Sequence, residues 1–298
     1  MGGRTPSNCE FDAKMGNLKY GLYVPNFGES SYARTLAQLA ADAENAGWDG
    51  FFLFDTIMYK RKLRAPMVDA FIALAAIAMN TKRIRIGTTV TPLARRRPWK
   101  VARETVSIDH LSNGRLILGV GLGDPPDVEF EAFGEDGNDK VRAEKLDEAL
   151  DILVGLWSGD EFSYQGKHYR VDKAQFLPRP KQASRIPIWV GGFWPHKAPF
   201  RRASKWNGVI PLKLGATWRP EPEDLRPMLT YINTLRTTTV PFDVAIIGFG
   251  QLEEQTKIDK IRLYAAEGVT WWLENLSSYR DSPEEMRGRI RKGPPRIS

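Results

Sequence analysis

The chain has 298 residues and a mass of 33.7 kDa, enough to bury about three quarters of the surface its unfolded form exposes, so it needs neither disulfide nor metal to fold. Hydrophobic residues make up 42% and charged residues 27%, a globular mixture that excludes a disordered or collagen-like chain. The net charge is +7, but Lys and Arg mostly alternate with Asp and Glu along helical stretches such as Arg142 to Glu148, which argues against a nucleic-acid partner.

Residues 1–17 read as a flexible polar leader, with Met15 as a candidate natural start. The leader has no apolar signal core, so cytoplasmic residence is expected. It carries the single cysteine, Cys9. One cysteine and three scattered histidines cannot build a Cys/His cluster, so no metal is expected. Residues 18–298 read as one domain, since no linker or shift in composition divides them.

Within that domain, apolar runs rich in β-branched and aromatic residues start at Lys19, Gly50, Ile84, Leu116, Ile186, Gly208, Phe242 and Thr270. Such runs predict strands buried on both faces. Helical patterns lie between them. Leu36, Leu39, Ala40, Ala43 and Ala46 recur at helical spacing, with Gly47 placed to end that helix. The apolar run from Phe71 to Met79 is far shorter than the ~20 residues of a bilayer crossing, so no membrane partner is expected.

The run starts are 31, 34, 32, 70, 22, 34 and 28 residues apart. Eight strands alternating with helices predict an α/β fold, a (β/α)8 TIM barrel, with an insertion in the oversized interval between its fourth and fifth strands. Inside that interval, Leu146, Ala149, Leu150, Leu153 and Trp157 mark a long helix, and EFSYQGKHYRVD marks a hairpin around Gln165 and Gly166. The alternative is a doubly wound sheet. A dinucleotide-binding version of it is disfavoured because Asn26-Phe27-Gly28-Glu29 after the first strand lacks G-x-G-x-x-G.

In such a barrel the chemistry sits where the strands end. These ends are Asn26, Asp55 with Thr56, Thr88 to Thr91, Gly121 to Asp124, Gly191 to Trp194, Lys213, Gly250, and Glu274 with Asn275. Glycine there lets backbone approach a ligand and leaves N–H groups for phosphate. Gly191 and Gly192, followed by Phe193-Trp194-Pro195-His196-Lys197, open a helix suited to an anion.

The run RIRIGTTVTPLARRRPWKVARETVSIDHLSNGRLILGVGLG resembles the core of the bacterial luciferase-like monooxygenase superfamily. Its members pair a strand ending in Thr-x-Val with D-x-L-S-x-G-R-x-x-L-G-x-G-x-G. The resemblance continues through IPIWVGG and WWLE, from residue 18 to about residue 280. It implies a flavin or deazaflavin at the barrel mouth and hydride transfer to or from its ring.

Two cofactor branches remain open, coenzyme F420 and FMN. The compact chain is closer to the deazaflavin branch. By resemblance, Thr89 and Val90 form a cis peptide behind the ring, and Asp55 contacts the ring edge. The residue-level alternative for Asp55 is a helix N-cap. The same resemblance implies that Asn26, Gly121, Gly191 and Gly192 belong to the coenzyme site and that His196 and Lys197 hold its phosphate. Asp124 stands where deazaflavin relatives place a carboxylic acid, and a buried acid there would donate a proton to substrate; the alternative is a turn-forming Asp before Pro125 and Pro126. Arg95 to Arg97 read either as contacts to an anionic coenzyme tail or as an exposed loop, and Trp194 and Trp218 as walls of an apolar pocket.

One departure matters. Deazaflavin sugar-phosphate dehydrogenases of the superfamily follow the second-strand Asp with a catalytic His, where this chain has Thr56. His110 and His168 read as structural or surface residues and offer no replacement. The expectation is an F420-dependent oxidoreductase reducing an unidentified small organic substrate. The alternatives are an FMN-dependent monooxygenase fed by a separate flavin reductase, and a barrel that binds coenzyme without turnover. An F420 reductase is a further possible partner, and relatives imply a homodimer.

Overall fold

The computed structural model describes residues 18–62, 64–248, 254–276 and 281–295. The leader, Cys9 and the strand end at Gly250 lie outside them. Among the described residues there are ten strands: β1 Lys19–Val24, β2 Gly50–Leu53, β3 Arg85–Pro92, β4 Leu116–Gly121, β5 Phe162–Gln165, β6 Arg170–Ala174, β7 Ile188–Trp194, β8 Gly208–Lys213, β9 Asp243–Ile247 and β10 Trp271–Asn275. All but β5 and β6 close into a parallel barrel in the order β1-β10-β9-β8-β7-β4-β3-β2. The eight barrel strands start within two residues of the positions read from the sequence.

Helices α1 Ala33–Asn45, α2 Ala70–Asn80, α3 Pro98–Leu111, α6 Lys197–Ala203, α7 Pro222–Leu235, α8 Glu254–Ala266 and α9 Pro283–Arg291 surround the barrel. The interval between β4 and β7 holds the insertion. It contains the short α4 Pro126–Glu129, the long α5 Asp139–Trp157 and the antiparallel hairpin β5–β6. No described helix is long and apolar enough to cross a membrane.

The strands have two apolar faces because the fold has two cores. The outer core joins strands to helices, as where Leu36, Leu39, Ala40 and Ala43 of α1 pack inward. The inner core fills the barrel with Phe52, Ile117, Trp189, Ile210, Ala245, Ile247, Trp271 and Leu273. Phe52, Trp189 and Trp271 meet with ring centroids 5.1 to 5.5 Å apart, tilted or edge-on as ring quadrupoles prefer. This aromatic plug closes the barrel lumen, so a ligand must sit above it. Tyr23, Val90 and Leu212, near the carboxyl ends of their strands, pack onto the plug and make the floor of the mouth.

Candidate active site

The floor owes its shape to an irregularity in β3. Thr88 pairs with Leu118 and Thr91 with Val120, so the register slips at Thr89 and Val90. The peptide between those two residues is cis, as the resemblance implied. Val90 lies across Gly121 and Gly191: a Cβ on Gly121 would stand 2.6 Å from Val90 Cγ2, and one on Gly191 3.0 Å from Val90 Cγ1. Only glycine lets the valine lie down here. Thr89 is buried, and its Oγ1 has no partner, although its neighbours Thr88 and Thr91 are hydrogen-bonded to Gly119 O and to each other.

Beside the floor, a charged clasp joins the ends of β2, β3 and β4. Asp55 is buried, and its Oδ1 accepts from Arg95 at 3.2 Å and Arg96 at 2.7 Å. Arg95 also donates to Glu129 Oε2 at 3.0 Å, and Glu129 is buried in α4. Glu129 Oε1 accepts from the Thr56 hydroxyl and, at 3.1 Å, from the Ile57 N–H. Burial pushes the Asp55 carboxyl up, but the positive charges of Arg96 and Arg95 pull harder and hold it below its usual value. Asp55 therefore stays ionised while its Oδ2 is buried without a partner.

Several expected roles change on inspection of the contacts. Asp55 caps no helix, because the N-cap of α2 is Asp69. Arg95 and Arg96 turn inward to Asp55, whereas Arg97 is exposed, so two of the three arginines do not form the loop face or tail contact read from the sequence. The Asn26 amide N–H groups are committed to the Thr56 and Val68 carbonyls at 2.8 and 2.9 Å; Asn26 fastens the loop after β2 instead of offering donors to a ligand. Gly192 makes room for Pro199, whose Cβ would lie 2.1 Å from an added methyl group.

Asp124 is exposed. The strand has ended at Gly121, and the turn through Gly123 carries the next residue outward, so the buried acid expected there is not found. His196 and Lys197 are exposed at the start of α6, and the Lys197 ammonium lies 3.6 Å from the Trp194 ring and 4.6 Å from the Tyr231 ring. Trp194 thus holds Lys197 by a cation–π contact, and Trp218 stacks with Arg219. His110 contacts Arg179 O and His168 contacts Glu144, both away from the mouth.

The structure brings Asp55, Thr89, Val90, Gly121 and Gly191 together. Glu129 is the residue that sequence reasoning missed. Its signal was faint: an acid flanked by Val128 and Phe130, three residues beyond a Pro-Pro pair.

These residues fit a flat, polar-edged ring system. An apolar floor faces one side, and two buried oxygens without partners, Asp55 Oδ2 and Thr89 Oγ1, await hydrogen-bonding groups; leaving such atoms unmet costs about 1 to 3 kcal/mol each.

Comparison with known proteins gives the family and the fold. Residues 19–200 match the family described as luciferase-like monooxygenase. An F420-dependent glucose-6-phosphate dehydrogenase of Nakamurella multipartita is 31% identical over 177 residues, 59% of this chain and 50% of that protein. The chain thus spans about half the length of that curated relative. The coenzyme F420 dependent tetrahydromethanopterin reductase of Methanopyrus kandleri superposes with a TM-score of 0.72 at 17% identity, covering 93% of this chain and 98% of that one. The oxygenating constituent of 3,6-diketocamphane monooxygenase of Pseudomonas putida, in complex with FMN, gives 0.70 at 15% identity, covering 93% and 96%. At these identities the two superpositions establish the shared barrel.

Proposed function

The chain belongs to the luciferase-like monooxygenase family, whose members are flavin- or F420-dependent oxidoreductases and monooxygenases, and from that premise we propose that it is an F420-dependent oxidoreductase reducing a small organic substrate. The observation that carries the proposal is the pairing of an apolar floor, Tyr23, Val90 and Leu212, with two buried oxygens that lack partners, Asp55 Oδ2 and Thr89 Oγ1. The deazaflavin branch is supported by the 31% identity, over 177 residues, to an F420-dependent dehydrogenase. When bound, the reduced coenzyme supplies a hydride.

The chain's own residues hold and orient. Val90, laid across Gly121 and Gly191, backs the ring, and the ionised Asp55 accepts a hydrogen bond at its edge. Asp69, Arg95, Arg96 and Glu129 keep Asp55 in place. His196 and Lys197 lie in the loop assigned to the coenzyme phosphate, with Lys197 steadied by Trp194 and Tyr231. Thr56 commits its hydroxyl to Glu129 and takes no proton from substrate. With no base at that position, substrate reduction is favoured over sugar-phosphate oxidation. Asp124, an exposed carboxyl two residues past the Leu122 that follows β4, is placed to relay a solvent proton to a hydride-accepting carbonyl or alkene once bound coenzyme and substrate cover it.

Two copies form the working protein. Ile72, Ala75, Ala76 and Met79 make one apolar stripe along α2, with Ile72 64% and Met79 68% exposed, and a second copy of the same face would cover it. The reading is tested by offering the reduced deazaflavin and candidate carbonyl or alkene acceptors without oxygen. Coenzyme oxidation that depends on acceptor supports it, and oxidation that requires oxygen moves the chain to the monooxygenase branch.

A further inference from the structure

Three loops that precede barrel strands, and so lie at the end opposite the mouth, enclose a cleft. Arg185 precedes β7, Ser204 to Asn207 precede β8, and Thr237, Thr238 and Val240 precede β9; all of them line it. Arg185 is partly buried, with its guanidinium stacked 4.8 Å from the Trp206 ring.

Among the described residues, the other buried or partly buried arginines direct a donor to a carbonyl or a carboxylate. Arg85 reaches Gly114 O, for example, and Arg202 reaches Asp147. Arg185 makes no side-chain hydrogen bond and no ion pair, so its fork of N–H donors stands open in the cleft. Burial pushes its guanidinium down, with no carboxylate raising it. Trp206 adds a second unmet donor, since its buried indole Nε1 has no acceptor.

The cleft is also built to keep its shape. Arg236 donates to Trp206 O at 3.0 Å and to Val240 O at 2.7 Å, which straps the β9 loop to the β8 loop. Lys205 brings a second positive charge, which the Asp151 carboxyl of α5 feels. Thr237 and Thr238 contribute hydroxyl groups, that of Thr238 accepting from Val240 N–H and keeping its own proton to donate.

A planar fork fixed on an aromatic face, a neighbouring ammonium and hydroxyl donors form a chemistry that recognises oxyanions. We propose that this cleft is a second binding site, separate from the coenzyme mouth, for a phosphate group. Arg185 grips two phosphate oxygens, Lys205 neutralises a third, and the threonine hydroxyls complete the shell. The source is either free inorganic phosphate or a phosphate monoester. The inference stands apart from the coenzyme reading, because the two sites lie at opposite ends of the barrel.

Calorimetric titration of the full chain at constant ionic strength tests it, using inorganic phosphate and, separately, glycerol phosphate. Lys197→Glu serves as the background, so that phosphate at the mouth is suppressed. The expected result is binding that Arg185→Gln weakens about tenfold or more, the loss of a charge-assisted pair, with a smaller loss for Lys205→Gln and an unchanged melting temperature in chloride. Tighter binding of glycerol phosphate identifies a monoester site, and tighter binding of phosphate identifies the free ion. Should Arg185→Gln fold poorly, Lys205→Gln alone decides, since Lys205 is exposed. Equal affinity in the variants and their parent, or no heat beyond a chloride control, overturns the proposal.

Discussion

Asp55 shows how much of this site rests on single charges. It is a buried carboxylate held by two arginines, and removing one member of such a cluster strands the others without a counter-charge. Asp55→Asn is expected to cost about 3 to 5 kcal/mol in denaturant unfolding and to weaken coenzyme binding as well. Its pH dependence has a definite sign. The folded carboxyl titrates below the ordinary value of 3.8, so its contribution is fully present above that value and is lost as pH falls through the depressed folded value. The stability gap between wild type and Asp55→Asn should therefore shrink in acid, below about pH 4; a gap that stays constant to pH 2 or so would mean the carboxylate is not held by the arginines. Asp124→Asn probes a different role. It should lower turnover while leaving coenzyme affinity unchanged, because an exposed carboxyl supports neither the fold nor the ring. Intact turnover would remove Asp124 from the chemistry. At this scale the sequence was only partly legible. Asp55 and Thr89 could be named from motifs, but the inward turn of Arg95 depends on Glu129, 34 residues away, and that of Arg96 on Asp55, 41 residues away, and no local pattern announces such pairings.

Elements were far easier to read. The barrel strands are apolar on both faces because one core fills the barrel and another lies under the helices, so each strand stands out as a short run. The α1 periodicity with Gly47, and the hairpin around Gln165 and Gly166, were visible for the same reason: turn and cap chemistry are local. The slip in β3 was legible only through resemblance, since Thr-Thr-Val is ordinary strand sequence. Its consequence for the neighbouring strand can be measured. Gly121→Ala places a methyl group 2.6 Å from Val90 Cγ2, and β-branched Val90 has little rotamer freedom to escape. A loss of about 1 to 3 kcal/mol is expected from the overpacking, with a parallel loss of coenzyme affinity as the floor shifts. Wild-type affinity in that variant, measured by tryptophan quenching, would show that Val90 does not support the ring.

On the proposed reading, the whole molecule separates its tasks between the two ends and the side of the barrel. The aromatic plug of Phe52, Trp189 and Trp271 divides the mouth from the opposite end, which allows coenzyme chemistry above and an oxyanion site below. The α2 stripe leaves a flank for self-association. Met79→Asp is expected to convert the proposed dimer to a monomer in sedimentation, with secondary structure intact, because a charge would be desolvated within the contact. An unchanged sedimentation coefficient would place any interface elsewhere. The architecture follows from the spacing of apolar runs, whereas the coenzyme preference depends on a few oxygens at the mouth that spacing does not encode. The central claim is that these oxygens and the Val90 floor hold a deazaflavin. Its most direct measurement is titration of the purified protein with F420 and, separately, with FMN, following quenching of intrinsic tryptophan fluorescence. The account predicts that F420 binds more tightly than FMN and that Asp55→Asn weakens it; tighter FMN binding, or F420 binding indifferent to Asp55, would contradict it.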